Sequence, residues 1–205
     1  MEPQATKFGF VGGALCLDFT NTVDGRLAIA QDDRLHSYSD LLGWSEQAKI
    51  LNAREAQQLA RVAAHQPEET QRVFEQAITL REAIYRMVIA VMNRRQPKAA
   101  DLTLLNEVLS RALAQGHIAT TKEGLAWNWR GDEEAFDQPL WQIARSAADL
   151  LTSERLNQVK KCEGETCGWL FIDASRNHSR RWCDMNDCGN RAKARRHYQR
   201  LRAKR

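Results

Sequence analysis

A chain of 205 residues is long enough to bury a sizeable core, and 43% apolar with 27% charged residues is the make-up of an ordinary globular protein. That composition excludes wholesale disorder and a fibrous repeat, while the longest apolar runs, such as AIYRMVIAVM, are too short and interrupted to span a bilayer. The net charge of +4 is unevenly spread: from Arg155 onward there are 14 Lys and Arg against 5 Asp and Glu, a net of +9, which leaves −5 on residues 1–154. A basic tail behind an acidic body points to nucleic acid or another acidic partner.

The opening MEPQATKFGF has no basic stretch followed by an apolar one, which predicts a cytoplasmic protein with no membrane partner. Residues 8–23 carry a Gly-Gly break. Leu15, Leu17 and Phe19 alternate as in a strand, while Leu15, Phe19, Thr22 and Val23 also share one helical face, so both assignments stand. Ser39 is expected to cap a short helix with Leu41, Leu42 and Trp44 inward. Helical periodicity then predicts helices over 54–64 and 68–93, the second ended by Pro97, and a third over 99–114 that stops near Gly116.

The period next changes to two. HIATT, the turn KEG and LAWNWR read as a β-hairpin, with Leu125, Trp127 and Trp129 alternating. Pro139 opens one more helix, through Leu151, whose apolar face should pack on the preceding bundle. Residues 1–155 therefore read as a mostly helical domain with one small hairpin, within a mostly α (α+β) chain. Residues 156–205 read as a second unit, a short hairpin and a basic helix arranged around four cysteines.

The second unit rests on its cysteines. Cys162 and Cys167 enclose four residues, Cys183 and Cys188 enclose four more, and fifteen residues separate the pairs. Each pair can turn two sulfurs toward one ion, and a short hairpin in the spacer can bring the pairs together. In a reducing compartment four such thiols serve a metal more readily than disulfides, and four thiolates in tetrahedral array suit one structural Zn2+ per chain. Two disulfides, an iron–sulfur cluster and a redox-releasable zinc are the competing uses. His178 and His197 flank the module as substitute ligands or surface residues, and Cys16, in an apolar segment, reads as a buried thiol. A segment this short needs the ion to supply much of its folding free energy, whereas the helical core should not depend on it.

After Cys188 comes GNRAKARRHYQRLRAKR. On a helical wheel Ala194, Tyr198 and Leu201 form an apolar stripe that should dock the helix, leaving basic shoulders in solvent. Four thiolates and a dication sum to −2, so balancing the site still leaves about +7 on the segment. Candidate nucleic-acid contacts are Arg176, Arg180 and Arg181 from the loop before the third ligand, with Arg191, Lys193, Arg195, Arg196 and Arg200 from the helix.

The run Cys162-x4-Cys167-GWLF-x-D-x-S-x-N-x-x-RRWC-x-M-x-x-CGNR-x-K-x-x-R-x-Y resembles the CGNR zinc-finger family. Upstream, LDFTNT around Asp18, LRE at Leu80 to Glu82 and PLW-x-x-ARSAADLL from Pro139 resemble the ABATE domain. The resemblance implies a stress-linked transcription regulator, and the basic finger adds DNA as its partner. The acidic N-terminal domain is the candidate place for homodimer formation and for a small-molecule effector. The alternative is a zinc-stabilised protein-interaction or RNA-binding module. Asp18, Asn21, Thr22 and Arg81 are the candidate lining of a ligand pocket, although caps, turns and a structural ion pair are the bland reading of the same residues. No nucleophile, base and orienter stand at informative spacing, so no enzyme is expected.

Overall fold

The computed structural model describes residues 7–122, 124–131 and 135–202. Two glycines turn the N-terminal segment: Gly13 has φ +77°, and a Cβ on Gly12 would lie 2.8 Å from that of Leu17. The chain then enters helix α1 (Leu15–Thr20), which decides between the two readings of this segment in favour of helix. Cys16, Leu17 and Phe19 are fully buried there. Strands β1 (Val23–Asp24) and β2 (Asp32–Asp33) follow as a minimal antiparallel ladder that closes the loop 25–31.

Helix α2 (Tyr38–Gln47) is capped by Ser37 rather than Ser39. Ser37 Oγ accepts the Asp40 N–H at 3.2 Å, while the Asp40 carboxylate accepts the His36 N–H at 2.9 Å. An acidic residue three places after Ser37 makes this the better cap, and Ser39 has none at that spacing. Asn52 and Glu55 form a reciprocal capping box that opens α3 (Ala53–Ala63). Pro67 begins α4 (Pro67–Met92), and α5 (Ala99–Gln115) leads directly into the hairpin β3 (Gly116–Thr121) and β4 (Gly124–Trp129). Helix α6 (Gln138–Leu151) again starts next to a proline.

Helix α1 packs between α4 and α6, and α5 covers the other side of those two helices. Leu80, Ile84 and Val88 of α4 and Leu140 and Ile143 of α6 meet Leu17 and Phe19 in one buried cluster. Past α6 a 3-10 turn (Glu154–Gln158) leads to β5 (Val159–Lys161), which pairs antiparallel with β6 (Leu170–Ile172). The finger's hairpin is thus not confined to the spacer: one strand precedes the first cysteine.

Alternation along β6 decides what it joins. Leu170 and Ile172 enter the main core, while Phe171 points to the cysteines. Each is buried, and burying a side chain of this size contributes roughly 1.5–3 kcal/mol. A π-helical turn (Met185–Gly189) carries Cys188 and runs into α7 (Asn190–Arg202). The expected docking stripe of α7 does not dock: no residue of the helix is buried, and Tyr198 and Leu201 are 66% and 50% exposed. Its main packing is at its base, on the π turn, and farther along Arg196 lies over the Trp182 ring, 5.8 Å from its centroid.

Candidate metal centre and nucleic-acid interface

The four cysteine sulfurs converge, all within 4.8 Å of one another. Cys167 Sγ lies 3.7 Å from Cys183 Sγ, which lies 3.8 Å from Cys188 Sγ. One zinc ion about 2.3 Å from each sulfur would set tetrahedral sulfurs about 3.8 Å apart, so the donor set fits the ion. A disulfide needs sulfurs about 2.05 Å apart. All five cysteines are free thiols, and Cys16 is buried far from the cluster. His178 and His197 are not among the converging ligands.

Donors surround the sulfurs. Cys162 Sγ accepts the Cys183 N–H at 3.3 Å and the Gly164 N–H at 3.4 Å, and Cys188 Sγ accepts Arg191 Nη2 at 3.1 Å. Hydrogen bonds from the Cys167 and Cys183 thiols, aided by those amides, hold the Cys162 thiol far below its ordinary range. Without an ion between them, the Cys162 thiolate in turn pushes Cys167 and Cys183 up. Four sulfurs this close share their negative charge only if a cation joins them. Gly164 is required beside them, because a Cβ there would meet Cys188 Sγ at 3.1 Å and Cys167 Cβ at 3.0 Å.

The loop between β6 and Cys183 is built on Asp173, whose side chain is fully buried. It accepts Lys160 Nζ at 2.7 Å, the Ser175 N–H at 3.0 Å and the Arg180 N–H at 2.9 Å. Burial alone would raise this carboxyl, but the hydrogen bonds led by Lys160 hold it well below the usual range.

The finger is also fastened to the N-terminal region. Arg26 and Leu27 donate backbone N–H groups to Cys167 O and Thr166 O at 3.0 Å each, Trp169 Nε1 donates to Val23 O at 2.8 Å, and Ile172 N donates to Gly12 O at 2.8 Å. Tyr85 of α4 donates its hydroxyl to Gly168 O at 3.1 Å. Gly168 has φ +73° and passes so close to Arg26 and Leu27 that a Cβ would lie 3.1 and 3.0 Å from them.

Two family models account for nearly all of this architecture. ABATE, described as "Putative stress-induced transcription regulator", matches residues 13–154, and the CGNR zinc finger matches residues 158–201. The chain belongs to the ABATE family. It ends in a CGNR zinc finger whose four cysteines hold one structural Zn2+. No curated protein matches the chain.

The basic residues of the finger loop and α7 of this ABATE chain fall into three groups. Arg181 pairs with Glu163, Arg191 with Asp187 and Arg195 with Glu165. Arg180 is turned inward: it donates to Trp182 O at 2.9 Å and to Cys183 O, and its guanidinium lies 4.4 Å from the Phe171 ring centroid. Among the described residues, Arg176, Lys193, Arg196, Arg200 and Arg202 have no acidic partner and are exposed. Arg202 was not among the residues expected from sequence, although its place in the basic run marked it equally.

Asp18, Asn21, Thr22 and Arg81, expected to line a pocket, are instead buried and bonded within the protein. Asp18 accepts the Gly12 N–H at 2.7 Å, and Thr22 Oγ1 accepts Arg81 Nη1 at 3.1 Å. Arg81 also grips Asp33 with two bonds of 2.8 and 2.6 Å. Burial pushes the Asp18 carboxyl up to about 6 despite its backbone hydrogen bonds.

Sequence reasoning missed Arg26. Its guanidinium pairs with Glu82 at 2.9 and 3.1 Å, donates twice to Thr20 O and lies 4.1 Å from the Tyr85 ring centroid. Nothing in the spacing of Arg26 and Glu82 signals the pair. Among the described residues no helix is long and apolar enough to cross a membrane.

Proposed function

We propose that this chain is a cytoplasmic, stress-responsive transcription regulator that binds DNA through its finger and α7, the zinc ion being structural rather than catalytic. One observation carries the reading: α7 presents six Lys and Arg with no acidic residue in its thirteen positions, and none of its residues is buried. A helix of that length extends about 20 Å, enough to follow a groove or cross a phosphate backbone. Lys193, Arg196, Arg200 and Arg202, joined by Arg176, supply phosphate contacts. The ion-paired Arg181, Arg191 and Arg195 hold the finger's shape and contribute less, because their charge is already partly met. Closed four-sulfur coordination leaves no position for an activated water, which supports a non-enzymatic role.

A protein-docking reading draws on the exposed Tyr198 and Leu201, which an apolar partner surface would cover. The two separate in one experiment, fluorescence anisotropy of the zinc-loaded chain with labelled duplex DNA, single-stranded DNA and duplex RNA at low salt. Preference for duplex DNA, lost in a chelated sample, supports the proposal. Absence of binding to any nucleic acid by the metallated protein overturns it in favour of protein docking, and preference for RNA reassigns the target.

A further inference from the structure

Between α6 and the β3–β4 hairpin lies a cleft of about 640 Å³, lined by none of the four zinc-binding cysteines and unused by the DNA-binding reading. Its size is in the ordinary range for small-molecule sites, roughly 300–1,000 Å³. Trp127 and Trp129, two residues apart on β4 and so on the same strand face, bring their rings to 6.1 Å at 25°. Both rings line the cleft, with Ala14, Leu15 and the buried Leu150 completing its apolar side. Trp127 nevertheless stays 44% exposed, which a residue serving only the core would not be.

The polar side of the cleft is cationic and incompletely matched. Arg145 stacks its guanidinium 3.7 Å from the Trp127 ring centroid, and its Nη1 is buried without a hydrogen-bond partner among the described residues. Among the described residues its one acidic neighbour is Asp149, 3.4 Å from Nε and itself 66% exposed. Arg155 lines the same cleft and uses one donor on Gly13 O at 2.9 Å. Among the described residues the lining thus sets two guanidiniums against one carboxylate beside two indoles.

We propose that this cleft binds a small aromatic carboxylic acid, its ring against Trp127 and Trp129 and its carboxylate on Arg145. A planar anion meets the unmatched guanidinium with charge-assisted hydrogen bonds and covers the exposed indole in one step. A polyphosphate or nucleic-acid strand would call for more cations and would leave the apolar side unfilled. The cleft wall at Ala14 and Leu15 continues from Gly12 and Gly13, whose carbonyls accept Ile172 N and Arg155. A ligand here therefore sits beside the segment that holds strand β6 of the finger.

The test is calorimetric titration of the full-length zinc-loaded protein with phenylacetate, phenylacetamide and acetate. Phenylacetate binds once per chain; removing its charge in the amide weakens binding at least about tenfold, and acetate, which lacks the ring, gives no binding at the same concentration. Trp127→Ala and Arg145→Gln each lower phenylacetate affinity by a similar factor, with zinc content and melting curve checked in both. No binding at millimolar phenylacetate, equal binding of the amide, or competition by acetate overturns the proposal without recourse to any variant. Unchanged affinity in both folded variants overturns it too.

Discussion

Asn21 and Leu170, 149 positions apart, are joined by a pair of hydrogen bonds: Asn21 Nδ2 donates to Leu170 O at 2.8 Å, and Leu170 N donates to Asn21 Oδ1 at 2.9 Å. The amide side chain imitates a strand's backbone, closing the open edge of β6 against the end of α1. Asn21 is 2% exposed, so water cannot replace it. Asn21→Ala leaves a buried N–H and a buried C=O unmatched, at about 1–3 kcal/mol for each unmatched group. Urea unfolding should show a loss of about 2–6 kcal/mol, together with faster zinc release to a chelator. A loss below about 0.5 kcal/mol, the range of an ordinary surface substitution, would mean that this bridge is not what joins finger and helices.

Zinc removal should be felt beyond the finger. Leu170 and Ile172 belong to the same buried cluster as Phe19 and Ile84, so loosening β6 exposes one side of the helical core. Cys183→Ser should abolish stoichiometric zinc and shift the main thermal transition down without erasing it. About 3 kcal/mol lost would lower the midpoint by roughly 10 °C in a chain of this size. Calorimetry with and without chelator measures this. An unchanged midpoint would show that the core does not depend on the ion, and a vanished transition that the helices cannot fold without it.

The ion itself is checked separately. Elemental analysis should find one zinc per chain, and X-ray absorption should find sulfur alone at about 2.3 Å. Nitrogen or oxygen in that coordination sphere, or iron in place of zinc, would contradict the four-cysteine site.

Acid stability carries opposing signs from two places. Asp18 is pushed up to about 6 by burial, so its ionisation costs stability as pH rises through 6, and that cost is absent below about 4. Asp33 and Glu82 are also raised by burial, but the Arg81 and Arg26 hydrogen bonds outweigh it and lower both. Their contribution is present above the ordinary carboxylate range and fades as pH falls through it. Asp18→Asn should therefore be more stable than wild type at pH 7, by up to about 2–3 kcal/mol, with the gap closing toward pH 4. Urea melts at a series of pH values give the curve. A gap that does not depend on pH would mean that Asp18 is not the titrating group.

Most of the helical framework follows from local signals. Helix periodicity located α4, α5 and α6 to within a residue or two, because Val73, Leu80 and Ile84 repeat on one face of α4 and Leu140, Ile143 and Ala147 on one face of α6, and prolines mark the starts of both. The cysteine spacing located the metal centre, since two close pairs suffice to define it. Contacts that join distant segments were not legible. The Asn21–Leu170 bridge, the Arg26–Glu82 pair and the sharing of β6 between two cores each depend on which surfaces meet, and no residue spacing encodes that. The docking stripe of α7 failed for the same reason: Ala194, Tyr198 and Leu201 align on the wheel, but the fold offers them no surface. The Asp18 to Arg81 group looked like a pocket because its residue types suit one, whereas burial turns them into bridges.

The claim that α7 and its loop contact DNA phosphates is tested most directly by the salt dependence of duplex binding. With Arg176, Lys193, Arg196, Arg200 and Arg202 free of acidic partners among the described residues, about five phosphates should be neutralised, giving a log–log slope of affinity against salt near roughly −4.5. Arg196→Ala or Arg200→Ala should each reduce that slope by about one and weaken all duplex sequences alike. Arg195→Ala, whose partner is Glu165, should change the slope less. The titration is run on zinc-loaded wild type and these variants, with metal content verified in every sample. A slope near zero, or no measurable duplex binding at low salt by the folded and metallated wild type, would contradict the account.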